Sequence, residues 1–88
     1  MLKKKKSRKI KVEVYSKIDC HLCDDAKAIL LKVQKVLPFD IKEIDITQDK
    51  IHFEEFKEQI PVIFINDRKA FKFKVNEEEL RRKIKRLL

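Results

Sequence analysis

The sequence contains no glycine, although average usage of about 7% predicts about six in a chain of 88 residues. Tryptophan is also absent, and there are only two cysteines and two prolines. Charged residues, by contrast, make up 43% of the chain, well above the usual level of about 25%. A composition rich in Lys and Glu and free of glycine is typical of heat-stable proteins, so we expect a thermostable protein.

Long apolar runs are missing as well. None approaches the roughly 18 residues that a membrane-spanning helix needs. The N-terminus is basic, but residues 10–15 alternate between apolar and polar and are too short for the core of a secretory signal peptide. A chain of this length has room for one modest core. We therefore expect a single cytoplasmic domain that is monomeric and has no membrane partner.

The positive charge is concentrated at the N-terminus. Residues 1–9 carry six Lys and Arg and no acidic residue, so that of the formal net charge of +8 only +2 remains for residues 10–88. We interpret residues 1–9 as a flexible basic arm and residues 10–88 as the domain. The arm has no aromatic residues that could stack on bases, which argues against nucleic acid as its partner. Contact with an acidic partner is the alternative to a solvated arm.

The two cysteines form a C-x-x-C pair, Cys20 and Cys23. Two cysteines this close in sequence cannot staple a small secreted fold, so the pair indicates redox chemistry or metal binding. The pair lies where a strand pattern gives way to a helix pattern, and the free N–H groups and dipole of a helix N-terminus favour a thiolate there. Cys20, at the turn, is therefore predicted to be the more acidic and exposed thiol. Cys23 lies about one turn further, at a Cα separation of roughly 5–6 Å that a disulfide can bridge.

The remaining patterns predict an α/β domain with the element order β-α-β-α-β-β-α and a four-stranded mixed sheet flanked by helices. A helix between the first two strands makes these strands parallel. Asn76 is predicted to cap the last helix, which would bury Leu80, Ile84 and Leu87. The expected elements are a strand over 10–15, a helix over 20–37 with apolar residues from Leu22 to Leu37, a strand over 39–46 with a bulge at Lys42–Glu43, a helix over 50–57, a buried strand over 62–65, a turn at Asn66–Asp67, an edge strand over 69–74 and a final helix.

Two segments together resemble the glutaredoxin family of the thioredoxin fold. The first is S-K-x-x-C-x-x-C at the start of a helix, and the second is the strand I-P-V-I-F-I, about 40 residues further on. The C-H-L-C form is similar to that of small glutaredoxin-like proteins rather than to the C-P-Y-C glutaredoxins. The resemblance covers residues 9–88.

The resemblance implies a role for each of six residues. Cys20 would be the nucleophile and Cys23 the resolving cysteine. Pro61 would follow a cis peptide bond and face the disulfide, which leaves the backbone N–H and C=O of Ile60 free to pair with an extended substrate. Lys17 would support the thiolate and contact glutathione. His21 replaces the family's proline, where it is either a tuning residue or a bystander.

One departure from the family concerns the loop before the last helix. The glycine pair that helps to hold glutathione is missing, and residues 73–77 stand in its place. We therefore expect a thiol–disulfide oxidoreductase without an organic cofactor that acts on protein or small-molecule disulfides. A thioredoxin-reductase-type enzyme is the expected reductant, and glutathione is the disfavoured alternative.

Two other classes of function stay open. A metal-binding protein could use Cys20 and Cys23 together with His21 and His52, although structural zinc sites normally present a second pair of ligands, and His52 fits a helix surface. A non-catalytic thioredoxin-fold binding module could engage an acidic partner through the basic arm.

Overall fold

The computed structural model describes residues 9–88. The expected basic arm therefore lies outside the described residues except for Lys9, whose Nζ is 3.4 Å from Asp40 Oδ2. The elements are β1 (Lys11–Ser16), α1 (His21–Gln34), β2 (Asp40–Asp45), a 3-10 turn (Ile46–Gln48), α2 (Lys50–Phe56), β3 (Val62–Ile65), β4 (Arg68–Lys72) and α3 (Glu77–Leu87). None of the helices in this part of the chain is long and apolar enough to cross a membrane.

The four strands form one mixed sheet in the order β2-β1-β3-β4. β1 and β2 run parallel because α1 carries the chain back between them, and the tight turn between β3 and β4 makes that pair antiparallel. β3 also pairs antiparallel with β1. The predicted fold class and element order are confirmed.

Each face of the sheet has its own apolar core. On one face α1 and α3 cover a cluster that includes Val14, Leu30, Ile63 and Leu80. On the other face α2 covers a smaller cluster that consists of Ile46, Phe56 and Val62, with aromatic rings around it. β3 is thus buried on both faces, as its uninterrupted apolar run predicts.

The structure differs from the sequence-based prediction in the position of a strand irregularity and in the burial of two leucines. The pairing of β1 with β2 is continuous, so there is no bulge at Lys42–Glu43, and the irregularity lies at Ile63/Phe64 against β4. β2 is an edge strand with no fully buried residue, so nothing enforces alternation along it. Leu22 and Leu87 are 40% and 45% exposed, because both line surface clefts rather than the core.

A chain without glycine must still make turns with positive φ. Asp19, Asn66 and Asp67 have φ values of 60°, 48° and 68°, a conformation that Asp and Asn tolerate best after glycine. The predicted turn at Asn66–Asp67 is confirmed, and Asn66 Oδ1 accepts the backbone N–H of Lys11 at 2.9 Å. Asn76 caps α3 as predicted, with its Oδ1 accepting the N–H of Glu79 at 2.8 Å.

Candidate active site

Cys20 and Cys23 form a disulfide at the N-terminal end of α1. Cys20 is the N-cap residue, with an extended backbone (φ −111°, ψ 105°), and its Sγ accepts the backbone N–H of Cys23 at 3.1 Å. The Cα atoms are 5.1 Å apart, within the range expected for one helical turn. A sulfur atom thus occupies the place of the side-chain oxygen that usually caps a helix.

The two sulfurs differ in their access to solvent. Cys23 is 0% exposed, because it lies on the face of α1 that also buries Ala26 and Leu30. Cys20 is half-buried and follows an exposed loop that ends in the left-handed residue Asp19. Once the disulfide is reduced, Cys20 is therefore the sulfur that a bulky partner can reach.

Ile60 and Pro61 lie at the same end of the sheet as the cysteines. Val62 pairs with Tyr15, close to the end of β1 that leads into the Cys20 loop. The Ile60–Pro61 peptide bond is cis, and the Pro61 carbonyl accepts the N–H of Phe73 at 2.8 Å. Within residues 9–88, neither the N–H nor the C=O of Ile60 has a backbone hydrogen-bond partner. A short stretch of unpaired backbone thus borders the site.

A polar network lies on one side of the Cys20 loop. Glu43 Oε2 accepts hydrogen bonds from Lys27 Nζ at 2.7 Å and from Ser16 Oγ at 3.1 Å, and Ser16 is only 1% exposed. The hydrogen bond from Lys27 is the main cause that lowers the pKa of Glu43, and the same bond raises the pKa of Lys27. The three side chains line a cleft of about 400 Å³ together with Lys17 and others.

An apolar groove of about 260 Å³ lies on another side of α1. Its lining includes Leu22, Ile29, Phe73 and Val75, with Asp25 and Lys74 as its charged members. Phe73 is 43% exposed and has a φ of 70°, which is rare for a bulky residue. Its N–H bonds to Pro61, and the N–H of Lys74 reaches back to Lys72 at 2.8 Å, so a tight turn holds the ring at the groove.

Comparison with known proteins identifies the family. The family model described as a glutaredoxin-like domain (DUF836) matches residues 11–85. The chain belongs to the glutaredoxin-like family. A curated glutaredoxin-like protein of Dictyostelium discoideum is 33% identical over 79 residues, which cover 83% of this chain and 73% of that protein.

Solved structures place this glutaredoxin-like protein in the thioredoxin fold. A protein of Nitrosomonas europaea is 23% identical with a TM-score of 0.76, over 86% of this chain and 92% of that one. A protein of X. campestris is 20% identical with a TM-score of 0.72, over 85% and 96%. The oxidized form of mitochondrial thioredoxin 3 from Saccharomyces cerevisiae is 15% identical with a TM-score of 0.66, over 88% and 77%.

Of the six residues that the sequence predicted for the site of this protein, four lie together and two are exposed beside them. Cys20, Cys23, Ile60 and Pro61 lie at one end of the sheet. Lys17 and His21 are exposed on the two sides of Cys20 in the chain, and within residues 9–88 neither side chain forms a hydrogen bond or an ion pair.

His52 belongs to a different part of the glutaredoxin-like protein. Its Nδ1 lies 3.5 Å from Asp49 Oδ2, and its ring packs edge-on against Tyr15 with centroids 5.1 Å apart. Its side chain is 33% exposed, so His52 lies on α2 as predicted but with its ring half-buried. Among residues 9–88, no group of three or more His, Cys, Asp and Glu side chains is placed to hold a metal ion.

No sequence pattern predicted the network of Ser16, Lys27 and Glu43 or the groove at Leu22 and Phe73. Each residue of the network belongs to a different element, and only the register of β1 with β2 brings Glu43 beside the end of β1. The spacing of Lys27, four residues after Cys23 on a helix, was the one available signal. For the groove, the absence of glycine at residues 73–77 indicated the loop that forms it, but did not predict where the Phe73 ring lies.

Proposed function

We propose that this protein is a thiol–disulfide oxidoreductase that uses Cys20 and Cys23. The Cys20 thiolate attacks a substrate disulfide, which forms a mixed disulfide and releases the first substrate thiol. The Cys23 thiolate then attacks Cys20 Sγ, which releases the second substrate thiol and closes the Cys20–Cys23 bridge. Two electrons pass from the protein to the substrate, and an external dithiol or a reductase must return them.

The observation that carries this proposal is the unequal exposure of two sulfurs bonded across a helix N-terminus. The N–H of Cys23 donates a hydrogen bond to Cys20 Sγ, and Cys20 also lies at the positive end of the α1 dipole. Both favour a thiolate at Cys20. Cys23 is shielded from outside partners yet within bonding reach of Cys20, which suits a resolving cysteine.

The surroundings favour an extended protein segment as the substrate. The N–H of Ile60 can donate a hydrogen bond to the backbone of such a segment, and its C=O can accept one. The groove at Leu22 and Phe73 offers room for an apolar side chain of the substrate, and Leu22 lies between the two cysteines in the chain. Pro61 positions the Ile60 backbone, and the exposed Lys17 and His21 would contact the substrate from either side of Cys20.

The same surroundings disfavour glutathione as the reductant. Phe73, Lys74 and Val75 carry side chains where a glycine pair would let the ligand approach the backbone closely. A thioredoxin-reductase-type enzyme, which presents a protein surface, fits the groove better.

The test is a turnover assay with insulin as the protein disulfide and dithiothreitol as the reductant. We expect the native protein to accelerate insulin reduction, Cys20→Ser to abolish the acceleration, and Cys23→Ser to accumulate a mixed disulfide that mass spectrometry detects. The two serine variants are matched controls, since they differ only in which sulfur remains. Undiminished turnover in Cys20→Ser contradicts the proposal. Stoichiometric zinc in protein purified without chelator would favour the metal-binding alternative instead.

A further inference from the structure

A second cleft, of about 260 Å³, lies between β4 and the last turns of α3. Four cationic residues line it, and none of its lining residues is acidic. The ammonium group of one of them, Lys69, donates a hydrogen bond to Gln59 Oε1 at 3.2 Å. Arg68 and Lys69 come from β4, and Lys83 and Arg86 come from α3. Two segments that are distant in sequence thus bring positive charge to one place.

No ion pair among residues 9–88 neutralises the charge of this basic cleft. None of the four side chains forms an ion pair with any other residue between 9 and 88. Asp67, next to Arg68 in sequence, pairs instead with Lys11 at 2.9 Å. Cations in the last turns of α3 complement the helix dipole. The helix dipole does not explain Arg68 and Lys69, because these two residues belong to a strand.

The cleft also has an apolar part. Leu87 is 45% exposed within it, and Ala70 is half-buried. No aromatic residue lines it, so there is no surface on which a base could stack. Cations around an aliphatic surface complement a partner that carries both carboxylates and apolar side chains.

We propose that the basic cleft docks an acidic segment of a partner protein, with carboxylates at Arg68, Lys83 and Arg86 and an aliphatic side chain against Leu87. This site is separate from the cysteines. Arg68 pairs with Ile65, and Ile65 pairs with Val12 near the start of β1, whereas Cys20 follows the end of β1. A partner held in the cleft therefore leaves the disulfide open. Docking would raise the effective concentration of that partner at the protein.

The probe is a fluorescent peptide that alternates Glu and Leu, titrated with the full-length protein at low salt and followed by fluorescence anisotropy. We expect saturable binding that weakens as salt is added, because exposed charges are screened. In parallel NMR spectra, the backbone amides of 68–70 and 83–87 should shift most. A peptide with Lys in place of Glu should not bind.

The decisive variant is Lys83→Gln with Arg86→Gln, which we expect to weaken binding about fivefold, the loss typical of two partly exposed charge contacts. The matched control is Arg82→Gln with Lys57→Gln. It changes the net charge by the same amount but removes cations that already pair with Glu79 and Glu54. Arg68→Gln repeats the test from the strand side, and thermal unfolding shows whether each variant is folded.

Several outcomes would overturn the proposal. An equal loss in the control would mean that net charge alone attracts the peptide. Shifts confined to the amides around Cys20 would place binding at the redox site, and no binding at low salt would leave the cleft without this role. Tighter binding of a duplex DNA of similar charge would assign the cleft to nucleic acid.

Discussion

At the scale of single residues, burial separates the two sulfurs. Cys23 is 0% exposed and Cys20 half-buried, so the reduced protein should react with iodoacetamide at Cys20 first. At neutral pH we expect the rates to differ by about tenfold or more, because thiolate character and access both favour Cys20. Peptide mass spectrometry after timed quenching measures each rate. In denaturant the two rates should converge, and faster labelling of Cys23 in the folded protein would reverse the assigned roles.

A second residue-scale prediction concerns Glu43. The hydrogen bond from Lys27 lowers the pKa of Glu43 in the folded state, so ionised Glu43 stabilises the fold above its unfolded pKa of about 4.3. This contribution disappears as the pH falls through the lowered folded-state pKa. Glu43→Gln should therefore lower the free energy of unfolding by about 0.5 kcal/mol at neutral pH, with a smaller difference in acid.

Urea unfolding at neutral and acidic pH measures this difference. The control for Glu43→Gln is Lys27→Gln, alone and combined with Glu43→Gln. If the two residues act as a pair, the double variant should lose little more than either single variant. Fully additive losses, or a Glu43→Gln effect that does not depend on pH, would show that the ion pair is not the cause.

At the scale of elements, the connection between β4 and α3 depends on a single turn. Phe73 adopts a φ of 70° there without being glycine, and the cost is backbone strain beside the site. Phe73→Gly and Phe73→Ala both remove the ring, but only glycine also removes the strain. The free energy of unfolding of Phe73→Gly should therefore be about 1 kcal/mol higher than that of Phe73→Ala.

Chemical denaturation of the two variants measures the effect of backbone strain at Phe73 directly. A matched pair at an ordinary position, Leu31→Gly and Leu31→Ala, should show the opposite order, because Leu31 is an exposed residue inside α1 where glycine is the poorer helix former. Equal stabilities for the two Phe73 variants would mean that the turn relaxes and stores no strain.

At the scale of the whole molecule, the proposed preference for a protein partner over a tripeptide predicts how the rate depends on the reductant. We expect slow reduction of a small-molecule disulfide when glutathione is the sole reductant, and faster reduction with a thioredoxin-reductase-type enzyme. Phe73→Gly opens the position of the missing glycine and should raise the rate with glutathione, whereas Leu31→Gly should not. Fast, saturable turnover of the native protein with glutathione would contradict this prediction.

Local patterns predicted most of the architecture. The apolar run of Val62–Ile65 identified a strand buried on both faces, and the polar ends of α3 with Asn76 identified its cap. Positions at the ends of elements were predicted less well. The apolar periodicity together with Pro38 predicted a first helix that ends at 37, whereas α1 ends at Gln34 and Val36 is 60% exposed. An apolar residue is compatible with a helix pattern whether or not another element covers it.

The sequence by itself determined the order of the elements, the turns that Asp and Asn make in place of glycine, and the presence of a cysteine pair at a helix N-terminus. These features depend on interactions within a few residues, so local spacing encodes them. Only the tertiary structure decided that Glu43 joins Ser16 and Lys27, that Phe73 lines a groove beside Leu22, and that two distant segments form the basic cleft. Each of these depends on the register and packing of elements far apart in the chain, which no local pattern specifies.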